Sequence, residues 1–221
     1  MVLINRREFC RGAAVVALAA AALGTTALTP LGRALADPIP ELELMKPDAL
    51  PDMTIGDAKA PVTVIEYASM TCPHCQRFHT DSYPALKSKY IDTGKVYFIL
   101  REFPLDALAY AAFMVARCSG DKYFPVIDTL FDHQEEWAFV RNPVDRMISF
   151  VQPYGIDSGA FEKCVDDPDV FDHVEFVATR GGDVFGVEGT PTFFFNGRRA
   201  VGELSVDALE QILAPMLAAP R

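Results

Sequence analysis

Two cysteines with two residues between them mark the point where an apolar run ends and a helical pattern begins. Cys72-Pro73-His74-Cys75 follows the β-branched run 62–67, which predicts a buried strand. The residues after Cys75 predict a helix to about Tyr90, bent at Pro84. Pro73 suits a first helical turn, where its missing N–H costs nothing. The sequence therefore places Cys72 at a helix N-terminus and Cys75 one turn inside the helix.

This position favours thiol chemistry. A thiolate on Cys72 faces free backbone N–H groups and the positive end of the helix dipole, which lower its pKa below the ordinary value of about 8.5. A protonated His74 adds positive charge nearby. Cys75 is shielded and can attack a mixed disulfide formed on Cys72. The pattern therefore predicts Cys72 as the attacking thiol and Cys75 as the resolving thiol.

Two other interpretations of the cysteine pair stay open. It can be half of a zinc site that His79 and one further ligand complete, although no second C-x-x-C or H-x-x-x-H follows. It can also be a purely structural disulfide. A strand-to-helix junction in an exported chain favours the redox interpretation over both. We therefore expect neither a metal nor a cofactor.

The first 36 residues have the pattern of an export signal. A basic start with Arg6 and Arg7 precedes 11 uninterrupted apolar residues, 13–23, and Ala34-Leu35-Ala36 is a small-x-small cleavage site. A buried N-terminal helix is the alternative. The Arg6-Arg7-x-Phe9 arrangement resembles a twin-arginine signal, but paired arginines also occur in ordinary secretory signals. We predict cleavage after Ala36 and export to the periplasm.

Composition sets further limits. Half of the residues are apolar, 23% are charged and the net charge is −10, which is globular and argues against a nucleic-acid binder. No apolar run reaches the roughly 18 residues that cross a bilayer. Removing the signal leaves 185 residues with a net charge of −13 and four cysteines, at 72, 75, 118 and 164. Four cysteines in an exported protein suit two disulfides.

The remaining segments predict strands around a helical block. Residues 37–60 predict an extended lead-in, and Val96–Leu100 predicts a second strand. Residues 105–187 predict helices throughout, at 107–117, 123–137, 144–151, 158–165 and 170–184. Thr192–Phe195 predicts a strand turned by Asn196-Gly197, and 206–217 predicts a closing helix capped by Ser205. This α/β order, with halves at 61–104 and 188–221 around an inserted helical lobe, resembles the thioredoxin fold.

Two more residues are predicted from the sequence to lie near the cysteines. Glu66 lies six residues before Cys72 in an otherwise apolar strand, so we expect it buried under the helix, where it accepts or relays the proton of Cys75. The alternative is a strand-end carboxylate with its head in water. Pro191 cannot donate a ladder hydrogen bond, so it is expected at the entry of its strand. Sequence alone favours a trans Thr190–Pro191 bond, since only about 5–6% of X–Pro bonds are cis.

These motifs together resemble the DsbA family of thioredoxin-fold thiol–disulfide oxidoreductases. The matching segments cover essentially the whole chain after the signal: Glu66-Tyr67 with Cys72–Cys75, Gly189–Gly197, Asp57–Pro61 and Arg101–Asp106. The resemblance implies a cis Thr190–Pro191 bond packed against the Cys72–Cys75 bridge. It also implies that Glu66 is the buried acid, and a low cysteine pKa with a strongly oxidising disulfide, both known of DsbA itself.

Cys118 and Cys164 depart from the best-studied branch of that family, although some relatives carry such a pair in the helical lobe. We predict that they form a structural disulfide. A bridge closing the 45 intervening residues would stabilise the fold by up to roughly 4 kcal/mol. Two unpaired buried thiols are one alternative. A bridge that modulates the potential of the first pair is another.

The resemblance implies a monomeric periplasmic oxidase that gives its Cys72–Cys75 disulfide to reduced, newly exported proteins. A membrane quinone-linked partner would reoxidise it. A disulfide isomerase or reductase on the same fold is one alternative. Such isomerases usually carry an N-terminal dimerisation domain, for which residues 37–60 are too few. A non-catalytic exported binding protein or chaperone is the other alternative.

Overall fold

The computed structural model of the chain describes residues 38–46, 48 and 50–219, so the predicted export signal lies outside the described residues. Within this part the strands form one sheet in the order β1-β3-β2-β4-β5. Their bounds are β1 Met53–Ile55, β2 Val62–Ala68, β3 Val96–Glu102, β4 Thr192–Phe195 and β5 Arg198–Val201. In the same part of the chain, no helix is long and apolar enough to cross a membrane.

The centre of the sheet is β2. It runs parallel to β3, with Val62 opposite Val96, and antiparallel to β4, with Tyr67 opposite Thr192. All but one of its seven residues are buried, as expected for a strand covered on both faces. Because β4 pairs with the end of β2, the segment entering β4 lies beside the segment leaving β2. This register brings the 189–191 loop to the cysteines.

Helices cover the sheet and build the lobe. The first ones are α1 Glu41–Leu44, α2 Pro73–Arg77 and α3 Tyr83–Leu86, with π-helical segments Phe78–Ser82 and Lys87–Ile91 after α2 and α3. The lobe contains α4 Ala107–Cys118, α5 Tyr123–Asp132, α6 Gln134–Trp137, α7 Pro143–Val151, α8 Ser158–Val165 and α9 Pro168–Asp183. The last helix is α10 Val206–Ala218, and the Ser205 side chain caps it by accepting from Ala208 N–H, as predicted.

Alternate strand residues feed two apolar clusters, one on each face of the sheet. Val64, Phe98 and Phe193 belong to the larger cluster, which continues into the lobe. Their neighbours Ile65 and Ile99, together with Phe194, belong to the smaller one. This alternation follows from the two-residue repeat of a strand. The fold is therefore an α/β sheet with an inserted helical lobe, and β2, β3 and β4 match the three predicted strands to within two residues.

The lead-in is the first correction. Residues 37–60 were expected to be extended throughout, but they contain α1 and the edge strand β1. Leu44 buries its side chain against the smaller cluster, which fixes α1. Met53 pairs with Leu100, so β1 covers the free edge of β3. The prediction of a uniformly extended segment was therefore wrong.

Two helices also differ from the prediction. The single helix expected over 123–137 breaks at His133, where the chain turns so that the buried Trp137 donates its indole N–H to Leu130 O at 2.7 Å. The helix after Cys75 alternates between α and π turns. Pro84 has no N–H to donate, and the Tyr83 N–H just before it reaches back five residues to Phe78 O. The expected bend at Pro84 is thus a widened turn.

Candidate active site

Cys72 is the N-cap of α2, with extended backbone angles, and Pro73 is the first helical residue. The turn from β2 is closed by the Cys72 N–H, which donates to Ser69 O at 3.1 Å. Cys72 is 6% exposed, whereas Cys75 is fully buried. Both are free thiols in this structure. A partner can therefore reach Cys72 but cannot reach Cys75 directly.

The surroundings of Cys72 favour its thiolate. Its pKa is lowered to about 5, chiefly by a hydrogen bond from the Cys75 thiol, against the opposing effect of burial. The Thr190 side chain and the backbone N–H groups of Cys75 and His74 also lower it. These two N–H groups are the unpaired donors of a helix start, as the sequence predicted. Cys72 can therefore act as a nucleophile and leave as a stable thiolate at neutral pH.

Cys75 is shifted in the opposite direction. Burial raises its pKa well above the ordinary value, and its hydrogen bond to Cys72 and the charge of Glu66 raise it further. Cys75 thus keeps its proton at neutral pH. It needs a base close by before it can attack a disulfide on Cys72.

The charge of one carboxylate, that of Glu66, acts on the Cys75 thiol. Glu66 is on the central strand β2 and is fully buried, so the alternative of a solvent-exposed head is wrong. Its Oε2 lies 3.0 Å from Nε2 of His79, which is also buried. The sequence offered His79 only as a zinc ligand, because a contact across 13 residues leaves no pattern. Within the described ranges, no three His, Cys, Asp or Glu side chains are grouped to hold a metal ion.

The backbone N–H of His74 lowers the pKa of Cys72, while the His74 ring contacts Glu203 and Arg77. The imidazole is exposed, with Nδ1 3.3 Å from Glu203 Oε2 and 2.6 Å from Nη2 of Arg77. Arg77 donates from Nε to the same Glu203 oxygen at 2.9 Å. The predicted role of a charged His74 ring near the thiolate therefore stays a prediction. Glu203 and Arg77 were not singled out from the sequence.

The loop before β4 faces the cysteines. The Thr190–Pro191 bond is cis, the form that the family resemblance implies, and β4 begins at the next residue. In the thiol form, Cys72 donates from Sγ to Thr190 O at 3.3 Å. Pro191 O accepts from Gly202 N–H at 2.8 Å, which ties the loop to the end of β5. Thr190 and Pro191 thus form one wall of the site.

A lobe residue, Gln134, holds the backbone of the cysteine loop through hydrogen bonds. Gln134 is buried at the start of α6, and its Nε2 donates to Met70 O at 2.8 Å and to Cys72 O at 3.1 Å. The sequence analysis missed Gln134, since a lone glutamine in a helical stretch carries no recognisable signal. The lobe is therefore part of the site and fixes the backbone that carries Cys72.

The second cysteine pair lies within the lobe. Cys118 at the end of α4 is bonded to Cys164 in α8, with the Cα atoms 6.0 Å apart. Beside it, Arg117 donates to the buried carboxylate of Glu102 at 2.7 and 3.1 Å. The bridge thus joins two lobe helices, and Arg117 connects its neighbourhood to β3.

Comparisons with known sequences agree with this geometry. A family model described as Thioredoxin matches residues 48–214. Putative protein-disulfide oxidoreductases from Rickettsia felis and Rickettsia typhi are 32% identical over 164 and 148 residues, which is 72% and 66% of this chain. The matches cover 57% and 55% of those proteins, so the chain spans little more than half the length of these curated relatives.

Solved structures are similar in fold. The crystal structure of Wolbachia pipientis alpha-DsbA1 has a TM-score of 0.73 and 28% identity, covering 79% of this chain and 94% of that chain. BdbD from Bacillus subtilis, in its oxidised form, has a TM-score of 0.59 and 19% identity, covering 76% and 94%. The second likeness is one of fold alone.

Proposed function

This chain belongs to the DsbA family of thioredoxin-fold thiol–disulfide oxidoreductases, and we propose that it is a periplasmic oxidase that donates a Cys72–Cys75 disulfide to exported proteins. The observation that carries the proposal is the opposite shift of the two thiols. The pKa of Cys72 is lowered to about 5, and the pKa of Cys75 is raised. A disulfide whose reduced form contains a stable thiolate is a strong oxidant.

The donation takes two exchanges. A substrate thiolate attacks Cys72 Sγ in the Cys72–Cys75 disulfide, and Cys75 leaves and takes up a proton, for which we propose Glu66 on β2 as the relay. A second substrate thiolate then attacks the substrate sulfur of the mixed disulfide. The substrate gains a disulfide and loses two electrons, and Cys72 leaves as a thiolate. The low pKa of Cys72 makes this last departure favourable.

The cycle closes through a second protein. The reduced pair passes two electrons to an oxidised partner, for which we propose a membrane quinone-linked protein. The Cys72 thiolate attacks the disulfide of the partner, and Cys75 then loses its proton and attacks Cys72. The exposed rim around His74 leaves room for such a partner. We further propose that the exported chain works as a monomer.

The cis-Pro loop supports substrate binding at this site. Thr190 O lies 3.3 Å from Cys72 Sγ, at the end of the sheet where β2 finishes and β4 begins. We propose that Thr190 and Pro191 contact the substrate backbone next to its cysteine. Pro73 sets the helix start, and His74 supplies one of the N–H groups that stabilise the thiolate.

The test mixes the oxidised protein with a reduced, unfolded protein that has two cysteines. We expect loss of free thiols in the substrate with matching reduction of Cys72–Cys75. Cys72→Ser should abolish the exchange, and Cys75→Ser should trap a mixed disulfide. A matched control, Cys118→Ser with Cys164→Ser, should still oxidise the substrate. Faster reduction of an oxidised substrate than oxidation of a reduced one would overturn the proposed direction, and exchange by Cys72→Ser would overturn the proposed site.

A further inference from the structure

A buried polar pair joins β2 to the π-helical segment Phe78–Ser82, and the charge of its carboxylate acts on Cys75. Glu66 and His79 are 0% and 5% exposed, and Glu66 Oε2 is 3.0 Å from His79 Nε2. Within the described structure, the other carboxylate oxygen, Glu66 Oε1, and the other ring nitrogen, His79 Nδ1, have no hydrogen-bond partner. Buried polar atoms are rarely left unpaired unless they have a task. The free acceptor on Glu66 is one such atom.

The His79 ring is held firmly by its neighbours. It stacks on Phe131 of α5 with ring centroids 4.2 Å apart and lies 4.9 Å from the ring of Tyr83. His79 stands in the π-helical segment Phe78–Ser82, next to the widened turn before Pro84. The aromatic contacts fix the ring plane, so that Nε2 is aimed at Glu66. The ring is therefore oriented toward the carboxylate of Glu66.

A buried carboxylate needs such a donor. Moving an unpaired carboxylate out of water is costly, so the group takes up a proton instead. In the described part of the chain, the side chain of Glu66 shares a hydrogen bond with His79. Two further titratable groups face the imidazole from the elements packed on it, Tyr83 from α3 and Asp128 from α5. Without the His79 ring, Glu66 would lose this hydrogen bond.

We propose that His79 is the positioning residue for Glu66: its Nε2–H donates to Oε2 and holds the carboxylate in place, which leaves Oε1 free to take the proton of Cys75. This rests on the proposed function, since the proton moves when Cys75 attacks a mixed disulfide on Cys72. The Cys75 proton passes to Glu66, the Cys75–Cys72 bond forms, and the bond from Cys72 to the partner sulfur breaks. The partner leaves as a thiolate. His79 touches none of the reacting sulfurs and acts through Glu66.

The test follows the reaction of each cysteine separately, through the absorbance of a released thiolate. Reduced protein is mixed with dithiobis-nitrobenzoate, whose coloured thiolate is released twice. The first release reports attack by Cys72 on the reagent, and the second reports attack by Cys75 on the resulting mixed disulfide. In His79→Leu we expect an unchanged first phase and a second phase slowed about tenfold or more at pH 7. The pH dependence of the second rate should also change, because the carboxylate that takes the proton of Cys75 is no longer held in place.

Two variants distinguish positioning from a merely structural role. His79→Gln keeps an N–H donor and should restore a second phase close to wild type, with its pH profile. His133→Leu is the matched control, since His133 stacks on Phe150 in the lobe and should leave both phases unchanged. Glu66→Gln should slow the second phase, and adding His79→Leu to it should slow that phase no further, because the two residues act as one unit.

The outcomes are separable. An absent first phase, or one that persists in Cys72→Ser, would overturn the proposed function. A normal first phase with an unchanged second phase in His79→Leu would overturn the role of His79 alone. Effects of Glu66→Gln and His79→Leu that multiply would also contradict it, as would a slow His79→Gln variant that folds normally. If His79→Leu fails to fold, the Gln variant and the pH profile of Glu66→Gln still decide.

Discussion

The sulfur of Cys72 lies 3.3 Å from the carbonyl oxygen of Thr190, a residue 118 positions later in the sequence. This contact joins the two halves of the thioredoxin fold at the point where chemistry is proposed. It depends on the pairing of β2 with β4, which sets the ends of both strands side by side. The helical lobe, which lies between the two halves in the sequence, also contacts this site, because Gln134 donates a hydrogen bond to Cys72 O.

Cys72 should be the reactive thiol. Absorbance of the thiolate in the reduced protein should titrate with a pKa near 5, and alkylation at low pH should label Cys72 before Cys75. The reason is the hydrogen bond from the Cys75 thiol together with the N–H groups of the helix start, whereas burial raises the pKa of Cys75. Cys72→Ser should remove the low-pH titration. Labelling of Cys75 ahead of Cys72 would contradict the assignment.

The stability of the reduced form should depend on pH. A thiol with a pKa near 5 in the fold and about 8.5 in the unfolded chain stabilises the fold fully above pH 8.5, and this stabilisation is lost as the pH falls to 5. At pH 7 the contribution is about 3 kcal/mol. The free energy of unfolding of the reduced form, minus that of the oxidised form, should therefore rise from pH 5 to pH 8. A flat difference would show that Cys72 is not shifted.

The lobe bridge should be structural. Mild reductant should open Cys72–Cys75 first and leave Cys118–Cys164 closed. Replacing both lobe cysteines by serine should lower the free energy of unfolding by up to about 4 kcal/mol. The titration of Cys72 should stay in place. Mass mapping that finds both lobe thiols free in oxidised periplasmic protein would refute the prediction, and a moved Cys72 titration would favour a modulating role.

Gln134 should stabilise the cysteine loop. Gln134→Leu removes the hydrogen bonds to Met70 O and Cys72 O, of which Cys72 O keeps the bond from Gln76 N–H, so the free energy of unfolding should fall by about 1–3 kcal/mol. Gln211→Leu, at an exposed position of α10, is the matched control and should change it by about 0.5 kcal/mol or less. Chemical denaturation of both variants measures the difference. Equal changes in the free energy of unfolding of the two variants would contradict this role of Gln134.

The sequence predicts the sheet well for a local reason. Val62–Tyr67 and Val96–Leu100 are β-branched and apolar runs bounded by turn residues, and both are strands in the structure. Thr192–Phe195 is identified by its Asn196-Gly197 turn in the same way. The edge strand β1 was missed because three residues carry too little alternation. Its position is decided by pairing with β3, which no local pattern records.

The site is predictable where its chemistry is local. The helix start is predicted from the local pattern of Cys72, Pro73 and Cys75. The burial of Glu66 is predicted because it is a charged residue in an apolar strand. The partners of these residues depend on tertiary contacts. His79 meets Glu66 because a π-helical turn sets its ring against Phe131, and Gln134 meets Cys72 because the lobe folds back. Such contacts between distant segments leave no periodicity in one sequence.

The central claim is that the reduced cysteine pair is favoured over its disulfide, and denaturant unfolding of the two redox forms tests it most directly. Both forms are unfolded at pH 7 with Cys118–Cys164 kept closed, and their free energies of unfolding are compared. The account predicts that the reduced form is more stable by a few kcal/mol, the reverse of an ordinary structural bridge, since about 30 mV of oxidising potential corresponds to 1.4 kcal/mol. An oxidised form that is clearly more stable would contradict the account and would mark the protein as a reductant.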